Sequence, residues 1–203
     1  MVPTRSRTCT AFEGLRLIAS GPIEEVALKT KRVFDRGEKG PVLVFDDLTS
    51  EQIELDLRGS AKDVLERLTE RPTSEVPEGQ DASLPRGPGR PKLGVVAREV
   101  TLLPRHWDWL NRQPGGASIA LRKLVEEARR THEAADKVRR SQEVTYRFMS
   151  AVAGNLAGFE EACRALFAGD AERFAAETRA WPQGVRDHVS RLSRDCLAGK
   201  MPT

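Results

Sequence analysis

Between residues 8 and 70 the spacing of apolar positions changes several times, and each change marks an element. Thr10–Glu13 and Leu15–Ala19 are short β-type runs, with Glu13-Gly14 as the turn between them. Ser20-Gly21-Pro22 opens a helix, with Pro22 in the first turn, where its missing N–H costs no hydrogen bond. Ile23, Val26, Ala27, Val33 and Phe34 then recur at helical spacing on one face, and Gly37 and Gly40 end the helix. Val42–Phe45 is a short apolar run that predicts a buried strand. Ile53, Leu55 and Leu57 alternate with Glu54, Asp56 and Arg58, which predicts a strand with one wet face. Ser60 caps a last helix whose Val64, Leu65 and Leu68 point inward. The predicted order is ββαββα.

Beyond this unit the pattern lapses. Residues 71–94, RPTSEVPEGQDASLPRGPGRPKLG, are dense in Pro, Gly, Ser and charge and have little to bury, so they read as an extended linker. Val95–Leu103 reads as a strand, and Pro104 opens a helix carrying Trp107, Trp109 and Leu110. The two tryptophans lie two residues apart and cannot share a helix face, so one is expected in the core and the other toward a partner. Pro114-Gly115-Gly116 breaks the chain. Ser118 is placed to cap a second helix with Ile119, Leu121, Leu124, Val125 and Ala128 on its apolar side. Residues 131–150 continue that helix, solvent-exposed or packed on another chain. Residues 151–197 read as an all-α tail. Val152, Leu156, Phe159, Cys163, Leu166 and Phe167 recur at helical spacing. Gly169-Asp170 is a break with a cap, and Phe174, Trp181, Val185, Val189 and Leu192 anchor the later pieces.

Charge divides the chain more sharply than its net of +3 suggests. Residues 1–83 hold 12 Lys+Arg and 16 Asp+Glu, residues 84–150 hold 14 and 7, and residues 151–203 hold 7 and 7. All of the positive excess lies in the middle, the footprint expected of a polyanion binder. The acidic N-terminal unit is a poor surface for the same partner. No apolar run is long enough to span a membrane, and the first residues have no apolar stretch of secretory length. The 3 cysteines, Cys9, Cys163 and Cys196, are far apart and have neither metal-ligand nor disulfide spacing, so reduced thiols and a cytoplasmic location are expected.

Catalytic chemistry finds little support. The chain lacks G-x-x-x-x-G-K-S/T, G-x-S-x-G and G-x-G-x-x-G. His132-Glu133-Ala134-Ala135-Asp136 puts Asp136 where a zinc protease motif has its second histidine, and only His106 and His188 remain as further ligands of that kind. Asp46-Asp47 and Glu54/Asp56 read as solvated carboxylates. The expectation is no catalytic residue, no metal and no cofactor.

Two stretches inside the basic segment carry a functional signal. Arg86-Gly87-Pro88-Gly89-Arg90-Pro91-Lys92 resembles an AT-hook. Gly89-Arg90-Pro91 matches the core that lies in a narrow A·T minor groove, while Pro88 stands where an arginine is usual. REVTLLPRHWDWLNRQPGGASIALRKLVEEARR resembles the ribbon-helix-helix family of bacterial repressors and antitoxins, through Leu103-Pro104, Gly115-Gly116 and Ser118. That resemblance implies two chains whose paired strands enter the major groove, with a phosphate held at the N-terminus of the second helix near Ala117–Ile119. Either Arg98, Val100 and Leu102 or Ala97, Glu99, Thr101 and Leu103 face the DNA, depending on register. Nearly end to end, and most clearly across GRPKLGVVAREVTLLPRHWDWLNRQPGGASIALRKLVEEARR, YRFMSAVAG and LFAGDAERF, the chain is similar to a bacterial family catalogued as domain of unknown function 2239. This resemblance implies a bacterial, cytosolic protein and brings no activity or site.

The expected architecture is α+β: a small ββαββα unit (1–70), a flexible basic linker (71–94), a ribbon-helix-helix-like segment with an extended helix (95–150) and a C-terminal helical bundle (151–203). The expected function is that of a dimeric DNA-binding regulator or nucleoid-associated protein. Arg86, Arg90 and Lys92 are the candidates for the minor groove or phosphates, Arg98 and Thr101 for the ribbon, and Arg105, Ser118, Arg122 and Lys123 for phosphates. The alternative is an antitoxin-like or regulatory module that grips a protein partner through its C-terminal helices without reading DNA.

Overall fold

The computed structural model describes residues 7–37, 39–70 and 98–198. The linker and its AT-hook-like residues Arg86, Arg90 and Lys92 lie outside them. Among the described residues are a three-stranded antiparallel sheet and eight helices, a mixed α+β architecture. The chain divides into two compact units, one of residues 1–72 with 134–203 and one of residues 73–133.

In the first unit the sheet order is β2-β1-β3, with β1 Thr8–Glu13 central, β2 Arg16–Pro22 and β3 Val42–Asp46. Both pairings of β1 are antiparallel, with Ala11 opposite Ala19 on one side and Phe12 opposite Leu43 on the other. Side chains alternate across a strand, so β1 serves two cores. Cys9 and Ala11 face a cluster with Ala19, Val26 and Val44. Phe12 belongs to a second cluster with Phe45, Phe148, Met149, Leu166, Trp181, Val185 and Val189. Burial on both faces explains why TCTAF carries no charge.

Helix α1, Ile23–Asp35, begins after Pro22, with Glu24 and Glu25 in its first turn and Arg32 in its last, matching the helix dipole at both ends. Its buried stripe is Val26, Ala27, Thr30 and Lys31, whereas Phe34, expected inside, is exposed. The helix is turned so that the small residues meet the sheet, and Lys31 pairs with Asp35 one turn on. The fourth strand expected at residues 53–57 does not form. One bridge, Phe45 to Gln52, flanked by the Ile53 N–H on the Val44 carbonyl at 2.8 Å and the Asp46 N–H on the Glu51 carbonyl at 2.9 Å, is the pairing seen among the described residues. Ile53 and Leu55 still pack on the smaller core, so the alternation reports burial without a ladder. Helix α2, Ala61–Glu70, starts at a reciprocal cap: the Ser60 N–H donates to Asp63 Oδ2 at 2.7 Å and the Asp63 N–H to Ser60 Oγ at 3.3 Å.

Helix α4 runs Gly116–Val152, and from residue 134 it belongs to the first unit. Its end, expected to be wet or to face another chain, carries Phe148 and Met149 into the larger core. The later helices are α5 Phe159–Ala168, α6 Ala171–Thr178, α7 Gln183–Leu192 and α8 Arg194–Leu197. Asp170 caps α6, accepting from the Arg173 N–H at 3.0 Å. Residues 1–70 and 151–203, set apart in the sequence reading, contribute to one core here.

A buried histidine sits in that core. The His188 ring lies 4.3 Å from Phe148 and 5.6 Å from Phe12. Arg191 Nη2 lies 2.7 Å from His188 Nδ1. Guanidinium has only donors, so Nδ1 accepts and the ring is neutral, with its proton on Nε2. Burial, reinforced by the charge of Arg191, pushes its pKa down to about 3. The unfolded chain therefore takes up a proton near pH 6.5 that the folded chain refuses until about pH 3. Stability is expected to fall with pH across that window, by about 1.4 kcal/mol per unit at its steepest. Urea unfolding of wild type and His188→Leu between pH 7 and 4.5 checks this. The wild-type curve should fall more steeply, and parallel curves would contradict it.

Candidate nucleic-acid interface

The second unit contains the strand–helix–helix segment expected from the sequence. Residues 98–103 form no strand, and residues 95–97 lie outside the described residues. An isolated extended segment has no ladder to join, because a ribbon needs a second strand beside it. Leu103 is extended at φ −66° and ψ 149°, as a residue before proline prefers, and Pro104 opens helix α3, Pro104–Asn111. The His106 N–H returns to the Leu103 carbonyl at 2.8 Å. At the other end of α3 the Gln113 N–H donates to the Leu110 carbonyl at 3.1 Å. Gly115 and Gly116 then take φ of +87° and +75°, values that side chains with a Cβ resist, and turn the chain into α4. That helix starts at Gly116, so Ser118 lies in its first turn and is not the cap expected of it. No acidic residue occupies this first turn, which leaves the positive end of the helix dipole without an opposing carboxylate of its own.

Two apolar side chains of residues 98–133 are buried, Leu110 and Ala120. Against them stand Val100, Leu103, Trp109, Ile119, Leu124 and Val125, all large, apolar and exposed. Trp107 is half-buried. Two buried apolar side chains among the described residues supply little of the burial that holds a small unit together, and the exposed set is what another surface would cover.

The candidate DNA contacts Arg98, Thr101, Arg105, Ser118, Arg122 and Lys123 are all exposed. Arg122 Nε donates to the Ser118 carbonyl one turn back, at 3.1 Å. The one ion pair within residues 98–133, among the described residues, joins Arg129 to Glu126 at 3.3 Å. The cations ahead of it are thus free of carboxylates. The basic segment is nonetheless divided. Lys137, Arg139, Arg140 and Arg147 fall in the first unit. There Lys137 pairs with Asp195 at 3.0 Å, Arg139 with Asp136 at 2.6 Å, and Arg147 donates to the Thr49 carbonyl. His132 is exposed, and Asp136 is engaged by Arg139.

One polar constellation was not visible in the sequence. Arg191 Nη2 donates to Thr10 Oγ1 at 3.0 Å and approaches Asp47 Oδ1 at 3.3 Å, while Thr10 Oγ1 lies 2.6 Å from Asp47 Oδ1. The partners are up to 181 residues apart in the chain and share no motif. Among the described residues, no helix is long and apolar enough to cross a membrane.

The family described as "uncharacterized protein conserved in bacteria (DUF2239)" matches residues 8–193. No curated protein and no solved structure matches the chain.

Proposed function

We propose, for a chain that belongs to this bacterial family of uncharacterised proteins, that residues 98–133 pair with their counterparts in a second copy and hold DNA. The observation that carries the reading is the imbalance between two buried apolar side chains and six exposed ones within this stretch. A second copy supplies the missing core, and an isologous pairing brings both Arg98–Leu103 segments together as an antiparallel ribbon. Arg98, Arg105, Arg122 and Lys123 of each chain then meet phosphates, and the first turn of α4 adds backbone N–H groups. The neighbouring basic linker adds Arg86, Arg90 and Lys92 to the same polyanion. This is the role of a dimeric regulator or nucleoid-associated protein, and it uses no catalytic group.

Fluorescence anisotropy of a labelled duplex with the full chain tests the reading over a range of KCl concentrations. Each neutralised phosphate releases counterions, so log K falls against log salt with a slope near −0.9 per contact. Four cations of residues 98–133 from each of two chains give a slope of about −7, and the linker cations steepen it toward roughly −12 if all of them meet phosphates. Absent binding, or affinity that ignores salt, contradicts the proposal.

A further inference from the structure

On the first unit an open pocket of about 410 Å³ lies between the turn after β3 and helices α4, α7 and α8, a volume within the range of small-molecule sites. Lys137, Arg140, Ser141 and Val144 line one side of it, spaced to share a face of α4. Arg191 and Leu192 of α7, Asp47 and Leu48 after β3, and Asp195 of α8 complete the lining.

The three cations differ in what holds them. Arg191 is anchored by Thr10, Asp47, His188 and Ser20, yet 45% of its side chain remains accessible. Such an arginine is fixed before a ligand arrives, so little freedom is lost on binding. Lys137 meets Asp195 at 3.0 Å with both side chains well exposed, a pair that exchanges easily. Arg140 has no carboxylate partner among the described residues. Ser141 Oγ donates to the Leu192 carbonyl at 2.7 Å and ties α4 to α7.

We propose that this pocket binds the anionic head of a small metabolite, a phosphate or carboxylate group received by Arg140, Lys137 and Arg191. A concave site favours a small molecule over a nucleic-acid backbone. Asp47 and Asp195 in the same lining repel a continuous line of phosphates, and three cations against two carboxylates leave a single positive charge, which one anionic group balances. None of its residues is among those proposed above to hold DNA.

Isothermal titration of the full chain with sodium phosphate, and separately with sodium citrate, tests it at constant ionic strength set with KCl. Saturable binding of one probe is expected, with Kd of about 0.1–1 mM. A preference for phosphate marks a phosphate ester as the ligand class, and a preference for citrate a polycarboxylate. Arg140→Gln and Lys137→Gln should each weaken binding about tenfold and leave the melting temperature of the unliganded protein unchanged. Lys62→Gln, an exposed charge on α2 away from this lining, should change nothing. The proposal is overturned if neither probe gives a saturable heat, if Arg140→Gln binds as wild type does, or if Lys62→Gln loses as much as Arg140→Gln. It is equally overturned if Arg140→Gln lowers affinity for duplex DNA as much as for the anion, which would give these cations to DNA.

Discussion

Phe148→Ala is expected to lower the stability of the first unit by about 3–5 kcal/mol, the usual cost of a large aromatic truncated in a core that cannot collapse around the gap. The Phe148 ring is fully buried. It lies 5.2 Å from Phe12 on β1 and 5.1 Å from Phe45 on β3, tilted or edge-on to each. His188 on α7 closes the third side at 4.3 Å. The ring thus joins both strands to two helices, and each neighbour is fixed by its own backbone ladder or helix. Domains are stable by about 5–15 kcal/mol, so the loss removes a large share of the margin. Tyr146→Ala, two residues earlier on the same helix, is the control. Tyr146 is 43% exposed and meets Phe167 at 5.6 Å on the surface, so its loss should cost about 1 kcal/mol. Urea unfolding followed through buried Trp181, whose Nε1 donates to the Ala157 carbonyl at 2.9 Å, reads both variants. Similar midpoints for the two would contradict a shared core.

The second large effect is on association. Ile119→Asp with Leu124→Asp is expected to break the dimer and, with it, most of the DNA affinity. Both positions are exposed in the single chain, so the substitutions should leave its own fold intact. In a symmetric pair each carboxylate appears twice at the same interface. Burying carboxylates without partners costs several kcal/mol, which raises the dimer dissociation constant by about 10³-fold or more. A monomer offers half of the phosphate contacts and no paired ribbon, so duplex affinity should fall by about 100-fold or more at fixed salt. Sedimentation velocity reads the first loss and anisotropy the second. A variant that stays dimeric, or binds DNA undiminished as a monomer, would place the interface elsewhere.

Local signals in the sequence located most elements of the first unit. Period-two and period-3.6 spacing found β1, β2, β3 and α1, and the Ser60 and Asp170 caps were legible because a cap depends on residues three positions apart. What spacing cannot report is which element an apolar face meets. Phe148 and Met149 looked like the end of an exposed helix because their partners, Phe12 and Phe45, lie more than 100 residues away. Residues 53–57 alternate as a strand does, yet they pack beside the sheet without a ladder. Of the candidate DNA contacts, those from Arg98 to Lys123 were legible as exposed because charge and local helical spacing fix exposure. The ion pairing of the later cations was not legible: the carboxylate that meets Lys137 comes from α8, 58 positions on. The Thr10–Asp47–Arg191 constellation drew on three segments of ordinary composition, and nothing local announced it.

Native mass spectrometry of the full chain mixed with a short duplex tests the central claim most directly, because it counts chains and DNA in one complex. The account expects two chains on one duplex for the wild type, and neither dimer nor complex for Ile119→Asp with Leu124→Asp. A single wild-type chain on the duplex, or a wild-type dimer that never carries DNA at low salt, would contradict it.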